Sequence, residues 1–382
     1  MSVIATMPRQ IAVAINDLVD SCGQIKPGQQ VLIVAASDGL TGGVNIVDEA
    51  TIAWIQAAVQ QRGAYASVLW TDIPSRIHAW RVPPVIKAAV PGIDVMISHA
   101  FDLPFEELYE LRDVMIEHRA VFVRNMATTV GLLASDWAQT PYELVSQIRI
   151  RTAQLFKEGL AWTLTHPNGT HLTGKISEPK PAGRRYADLR TEGFYRPFPE
   201  GVFSPINLAG TEGTLVFDRT SPWWARYINI PGHFAEPVRI TIANNRIRKF
   251  EGGEEAKAME RFIAGMAERV GDMMYEAFAL HGGVHPHAKI GRHQCSNDTY
   301  REFIEHHHSS NVHLHLGVVP SEHRASYPYF VHITGDLQGA RLQLGDKLVY
   351  DCGRLTTLDL PEIKELAAHY PERPGIWTEQ TS

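Results

Sequence analysis

The chain has 382 residues, of which 44% are hydrophobic and 20% charged, an ordinary globular composition that gives no reason to expect a long disordered tract. Its formal net charge of -6 gives no electrostatic reason to expect nucleic acid or an anionic membrane surface as a partner. No stretch reaches the roughly 18 apolar residues of a membrane span, and Met1-Ser2-Val3-Ile4-Ala5-Thr6 lacks a charged leader before an apolar run, so a cytoplasmic protein with a small-molecule substrate is expected.

The first part of the chain alternates helical and strand-like patterns. Ile11, Ile15, Leu18, Val19 and Cys22 recur at helical spacing, Lys26-Pro27-Gly28 breaks that helix, and Val31 to Ala36 is an apolar strand. Helices over 46–62, 83–90 and 105–118 then alternate with strands at 66–70, 94–98 and 120–123. Short apolar strands separated by helices predict a parallel sheet covered on both faces. No Gly-x-Gly-x-x-Gly follows the first strand, so Ser37 to Gly43 reads as a plain turn rather than a dinucleotide site. His99 sits just after a strand end, where open α/β sheets bind ligands.

From about residue 162 the pattern changes to hairpins. Asn168-Gly169, Asn244-Asn245 and Gly345-Asp346 each separate two strand-like runs. One long helix interrupts them, from Glu254 to about Leu280. The expected organisation is an α/β domain with a parallel sheet over 1–160, followed by an α+β domain rich in antiparallel hairpins over 161–382.

Eleven of the 18 histidines fall between His281 and His332. That density points to a metal site. Alternation along a strand puts His313 and His315 on one face, and His332 can arrive from a neighbouring strand. His313 and His332 each stand in an apolar strand pattern, Val312 to Val319 and Tyr329 to Ile333, where an imidazole must find buried partners. Asp336 follows His332 by four residues and converges only if the backbone turns at Gly335. A two-histidine, one-carboxylate set suits non-haem iron(II). His306-His307-His308 reads as a solvated turn, because three consecutive residues cannot face one ion from a regular strand or helix. His285-Pro286-His287 and His293 stand on a turn-rich stretch. Cys22, Cys295 and Cys352 are too few and too scattered for a disulfide framework or a paired-cysteine zinc site.

Several segments, taken in order, resemble the family of aminopeptidase T and related metalloaminopeptidases that also includes 2,5-dihydroxypyridine 5,6-dioxygenase. Pro167-Asn168-Gly169-Thr170-His171-Leu172-Thr173 is similar to the family's Gly-Thr-Asp-Leu-Thr hairpin. Pro199-Glu200-Gly201-Val202-Phe203-Ser204-Pro205 resembles its Pro-x-Gly-Glu-Val-Phe-x-x-Pro loop, and Phe234 to Ile242 with Phe250 to Ala256 resembles a strand, turn and helix start. The resemblance runs from about residue 10 to 355. It implies that His313, with Gly317, and His332 are metal ligands. The family aspartate of His-x-Asp is replaced by Thr334, and of the two glutamates with which the aminopeptidases hold a pair of metals, one maps near Glu200 and His287 stands in the place of the other.

The resemblance therefore implies a mononuclear non-haem iron(II) dioxygenase opening a hydroxylated aromatic or N-heteroaromatic ring, with dioxygen as co-substrate. His313 and His332 are the expected iron ligands, with His287 or Asp336 as the third. Glu200, His293 and His99 are candidates for proton transfer and substrate orientation, and Lys289, Arg292 and His315 for substrate binding. The alternative is an aminopeptidase-type hydrolase using zinc or manganese. A homo-oligomer is expected in either case.

Overall fold

A computed structural model describes residues 6–36, 47–71, 83–100, 109–176, 193–201, 208–220, 225, 228–270, 284–286, 311–316 and 333–373. Four of the early strands, β1 (Gln30–Ala35), β2 (Tyr65–Trp70), β3 (Val95–His99) and β4 (Val121–Asn125), are parallel and adjacent in the order β2-β1-β3-β4. The helices between them are α1 (Arg9–Asn16), α2 (Glu49–Gln61), α3 (Pro84–Ala89) and α4 (Tyr109–Glu117). The helix expected across residues 11–22 is divided, with a π-helical stretch taking over at Asp17–Cys22.

Why this sheet is parallel can be seen in β1. Val31, Ile33 and Ala35 enter one apolar cluster with residues of α1 and α2, whereas Leu32, Val34 and Ala36 enter a second with Ile86 of α3 and Leu111 and Met115 of α4. A strand buried on both faces has no solvent side, so its sequence is a continuous apolar run rather than an alternation. Because β2 and β3 flank β1 on opposite sides, the strand order reverses between β1 and β3. Open α/β sheets bind ligands at such a reversal, at the carboxyl ends of the two strands that flank it.

After β4 come three helices that the hydrophobic spacing did not single out, α5 (Val130–Leu133), α6 (Asp136–Gln139) and α7 (Tyr142–Ala153). The first two have four residues each, too short to show a period. Thr129 and Ser135 cap them by accepting hydrogen bonds from Leu132 N and Ala138 N.

The hairpins follow as expected. An eight-stranded antiparallel sheet has the order β10-β9-β8-β6-β5-β14-β15-β16. Its strands are β5 (Ala161–His166), β6 (Thr170–Ile176), β8 (Leu208–Arg219), β9 (His233–Ala243), β10 (Arg246–Glu251), β14 (Arg341–Leu344), β15 (Lys347–Asp351) and β16 (Arg354–Leu355). All three turn signals lie between paired strands. Asn244 and Asn245 both have positive φ, 53° and 60°. Two successive left-handed residues make the turn whose twist matches that of a hairpin, and asparagine tolerates that conformation better than most. Two later helices are α8 (Glu254–Val270) and α9 (Pro361–Ala368). The expected continuation of α8 to Leu280 lies outside the described residues.

One strand crosses the expected division at 160/161. β7 (Tyr195–Phe198) pairs in parallel with β4 and completes the first sheet as its fifth strand. Arg196 of β7 donates to the carbonyls of Cys22 and Gly23, at 3.1 and 3.0 Å. The end of the chain also returns, since Arg373 pairs with Asp17 and donates to the Gln139 carbonyl at 2.6 Å.

Candidate metal centre and the crevice of the parallel sheet

A separate three-stranded antiparallel sheet, order β11-β12-β13, carries the centre of the histidine-rich segment. It consists of β11 (Val284–Pro286), β12 (Asn311–Leu316) and β13 (Ile333–Gln338). The stretch around His285 that reads as turn-rich in the sequence is therefore strand at 284–286. Pro286 is compatible with that because β11 is an edge strand, where a missing N–H breaks no ladder bond on the open side.

The register divides this sheet into two unlike faces. Val312, Leu314, Leu316 and Leu337 alternate onto one face and are all 2% exposed or less. Gly335 belongs to that face. A Cβ at Gly335 would meet Leu215 Cδ2 at 2.9 Å and Phe217 Cδ1 at 3.2 Å, so glycine lets β13 pack closely against β8. Asn311, Thr334 and Asp336 occupy positions of the opposite face and are buried, at 2%, 1% and 5% exposure, while Gln338, opposite Asn311 on that face, is exposed.

Across the ladder His313 pairs with Asp336 on one side and with His285 on the other, while His315 pairs with Thr334. The three positions 285, 313 and 336 therefore form one row across adjacent strands. Directly opposed residues of an antiparallel pair share a face. The expectation that Asp336 needs a turn at Gly335 is corrected, since Gly335 lies inside β13 and pairs with Leu314. Thr334 is held by a 3.0 Å hydrogen bond between its Oγ1 and that of Thr220, at the end of β8.

His285 was not expected as a member of this row. A strand with proline in it is hard to recognise over three residues, and the pairing that matters is with a strand more than twenty residues away. Of the other expected site residues, His287, Lys289, Arg292, His293 and His332 lie outside the described residues, and His313 and His315 are placed by the backbone of β12. Among the described residues no three His, Cys, Asp or Glu side chains come together as a metal site.

The structure places two further expected residues, His99 and Glu200, at the carboxyl edge of the parallel sheet. His99 ends β3, beside Ala35 of β1, at the point where the strand order reverses. It is fully buried, and burial pushes its imidazole down to about 3, so the ring is neutral. Its tautomer follows from its neighbour Asn125 at the end of β4. Asn125 Oδ1 accepts from Ala127 N at 3.0 Å, which turns the amide nitrogen Nδ2 toward His99 Nδ1 at 3.2 Å. With Nδ1 accepting, the proton sits on Nε2. That N–H is buried and makes no hydrogen bond to a described residue.

Glu200 follows β7 and is 4% exposed. Its Oε1 accepts from Gly201 N at 2.8 Å, its Oε2 accepts from Ser146 Oγ at 3.1 Å, and Arg149 Nε stands 3.6 Å from Oε2. Ser146 and Arg149 lie three residues apart on α7 and so present one face to the carboxylate. Neither was singled out in the sequence, because α7 itself was not.

With the geometry in place, the protein can be compared with known ones. A family profile described as 2,5-dihydroxypyridine 5,6-dioxygenase (NicX) matches residues 138–355, more than half of the chain. The chain belongs to that family. Among solved structures it is similar to 2,5-dihydroxypyridine dioxygenase from Pseudomonas putida KT2440, with 14% sequence identity, a TM-score of 0.57, and coverage of 91% of this chain and 96% of that one. At that identity the likeness establishes the shared fold. AmpT from Thermus thermophilus is similar at 11% identity and a TM-score of 0.49, over 91% of this chain and 98% of that one. No curated protein matches. The matched family segment includes β7, Glu200 and all three strands of the polar-faced sheet. Among the described residues no helix is long and apolar enough to cross a membrane.

Proposed function

We propose that the protein is a mononuclear non-haem iron(II) dioxygenase that opens a hydroxylated aromatic or N-heteroaromatic ring of the dihydroxypyridine type. The observation that carries this reading is the pairing of His313 with Asp336, a buried carboxylate on the polar face of β13. Imidazoles with one hard carboxylate fit iron(II), and they fit it better than an all-histidine or cysteine set would. Membership of a family described by a dihydroxypyridine dioxygenase supports the same chemistry.

His313 and His332 are the proposed histidine ligands, with His287 or Asp336 as the third group. When bound, iron(II) supplies a centre at which a hydroxylated ring and dioxygen can exchange electrons, a reaction that is otherwise spin-forbidden. The protein's own part is to bind, orient and manage protons. His99 holds its proton on Nε2, and Asn125 keeps it there, so His99 is suited to donate a hydrogen bond to an oxygen of the ring substrate. Neutrality favours this role, since a buried imidazolium would have to be charged at a large desolvation cost. Glu200 accepts from Ser146 Oγ and Gly201 N and stands beside Arg149, contacts that suit it to fix α7 against the sheet edge, and with His293 it is a proposed group for proton transfer. Lys289, Arg292 and His315 are the proposed contacts for the substrate's anionic form.

The alternative is an aminopeptidase-type hydrolase with zinc or manganese, in which a metal-bound water attacks an amide. It needs a second carboxylate-rich site. Glu200, a carboxylate the resemblance offers for that purpose, is committed to Arg149 and Ser146, which counts against it.

The test is anaerobic purification followed by measurement of bound iron, zinc and manganese. Oxygen uptake is then followed with a panel of dihydroxypyridines and catechols beside a panel of aminoacyl amides. The expected result is iron-dependent uptake with at least one ring compound. Amide cleavage without oxygen uptake would refute the dioxygenase reading.

A further inference from the structure

An open sheet has two outer strands whose outward N–H and C=O groups invite pairing with another chain, and natural proteins blunt them with charge, proline, short length or cover. Among the described residues, five of the six outer strands carry such a device. β10 bears Arg246, Arg248 and Lys249, β7 and β11 contain Pro197 and Pro286, β16 has two residues, and β13 is buried from Thr334 to Leu337. β2 carries none of them. Between Ala64 and Thr71 there is no charge and no proline, and Tyr65 and Trp70 stand 64% and 43% exposed at the two ends of the strand.

The backbone decides which groups of β2 face outward. Tyr65 N donates to Gln29 O and Thr71 N donates to Ala35 O, so the odd-numbered residues bond to β1. Successive residues of a strand send their N–H and C=O groups to opposite sides, which leaves those of Ala66, Val68 and Trp70 on the outer edge. The Ala66 carbonyl accepts from Gln56 Nε2 of α2 at 3.2 Å, so α2 reaches the same rim. Gln56 belongs to a stripe with Ala53, Ala57 and Gln60, four uncharged side chains that are partly or fully exposed. From Ala50 to Thr71 the single ionic side chain is Arg62, and it is held by Asp20 and Asn16 at 2.6 to 2.9 Å.

We propose that β2 pairs with β2 of a second copy of this chain, antiparallel about a two-fold axis that passes through Val68 perpendicular to the sheet. The pairing is independent of the chemistry proposed above. Val68 then meets Val68 and Ala66 meets Trp70, so the outward N–H and C=O groups of all three residues find partners, and each exposed indole lies on a small side chain. Such an axis keeps the faces of the sheet. Ala66 and Val68 pack with the cluster of α1 and α2, so the two α2 helices lie on one side of the joined sheets with their uncharged stripes toward the junction. A strand pair alone is small beside the roughly 1,200–2,000 Å² of a stable interface. The short side chains of Ala53 and Ala57 let the helices approach and add to it. A second copy fits better than a foreign strand because the patch complements itself and the contact closes: once paired, neither copy keeps an outer β2.

The experiment uses the full chain, with mass from sedimentation velocity over a dilution series and hydrogen exchange resolved to single amides. Wild type is expected to contain an even number of chains, with the amides of Ala66, Val68 and Trp70 protected. Trp70→Lys on the strand and Ala57→Arg on the helix stripe are each expected to halve the mass and to speed exchange at the outer amides that each retains by at least ~100-fold, while Ser67 and Leu69, bonded to β1, stay slow. Circular dichroism checks that each variant is folded, and two variants on different elements keep the test decisive if one is not. In a Cys352→Ser background, Val68→Cys is expected to form an inter-chain disulfide on oxidation, and Arg248→Cys on β10 is not. A wild type that stays monomeric at every concentration overturns the proposal, and so do folded variants of wild-type mass. Cross-linking of Arg248→Cys as fast as Val68→Cys does the same. Outer amides that stay protected in the monomeric variants also overturn it, because another part of the chain then covers the edge.

Discussion

The parallel sheet and the three-stranded sheet are both buried, but they use burial differently. In the parallel sheet, β1, β3 and β4 send apolar residues to both faces, and the buried polar residues Ser98, His99 and Asn125 gather at its carboxyl edge. In the three-stranded sheet the described side chains of one face are apolar, while the other carries Asn311, Thr334 and Asp336 at 5% exposure or less and ends at the exposed Gln338. Burying polar groups opposes folding unless each finds a partner. A polar edge collects such groups where strands end, whereas polar residues buried along a strand must be met within the packed face itself, as Thr334 is by Thr220.

That comparison can be broken most severely on its apolar side. Leu314→Ala in β12 and Ile97→Ala in β3 are each expected to cost roughly 2–5 kcal/mol in chemical denaturation, since both side chains are fully buried. If Leu314→Ala costs less than about 1 kcal/mol, the apolar face of the small sheet is not a true core surface.

The carboxyl edge of the parallel sheet is sharpened by acid. His99 in the folded protein has its pKa depressed to about 3 from 6.5, so between those values the unfolded chain binds the extra proton. Stability therefore falls as pH drops below about 6.5, by up to ~1.4 kcal/mol per pH unit from this group, and the loss levels off near pH 3. His99→Gln should flatten the dependence of denaturation midpoint on pH between 6 and 4. An unchanged slope would show that His99 is not the buried neutral group described.

Asn125→Ala removes both the donor to His99 Nδ1 and the acceptor for Ala127 N, and is expected to cost about 1–3 kcal/mol. The same variant should release the His99 tautomer, seen as a change in the imidazole nitrogen resonances. Smallest is Ser146→Ala, which takes one hydrogen bond from Glu200 but leaves Arg149 and Gly201 N in place. A loss of about 0.5–1.5 kcal/mol is expected in denaturant.

Much of this architecture was legible in the sequence because local patterns dictate it. Val31 to Ala36 is a continuous apolar run, and the three hairpin turns carry Asn-Gly, Asn-Asn and Gly-Asp between strand-like flanks. What could not be read was set by pairing at a distance. Nothing near residue 195 marks β7 as a partner of β4, and nothing near Asp336 announces His313 as its neighbour. The helices α5 and α6 escaped because four residues cannot display a 3.6-residue period. At the site, spacing suggested a turn at Gly335, whereas the residue is a glycine because Leu215 and Phe217 leave no room for a side chain.

β7 has a bearing on how this chain is made. As it emerges from the ribosome, β1 to β4 are synthesised long before Tyr195–Phe198, so the β4 edge stays open while the intervening helices and the first hairpin follow. An unpaired strand edge invites pairing with other chains. The nascent protein thus passes through an interval in which its first sheet is nearly complete yet still adhesive, and that interval ends only when the second half of the chain reaches back to close it.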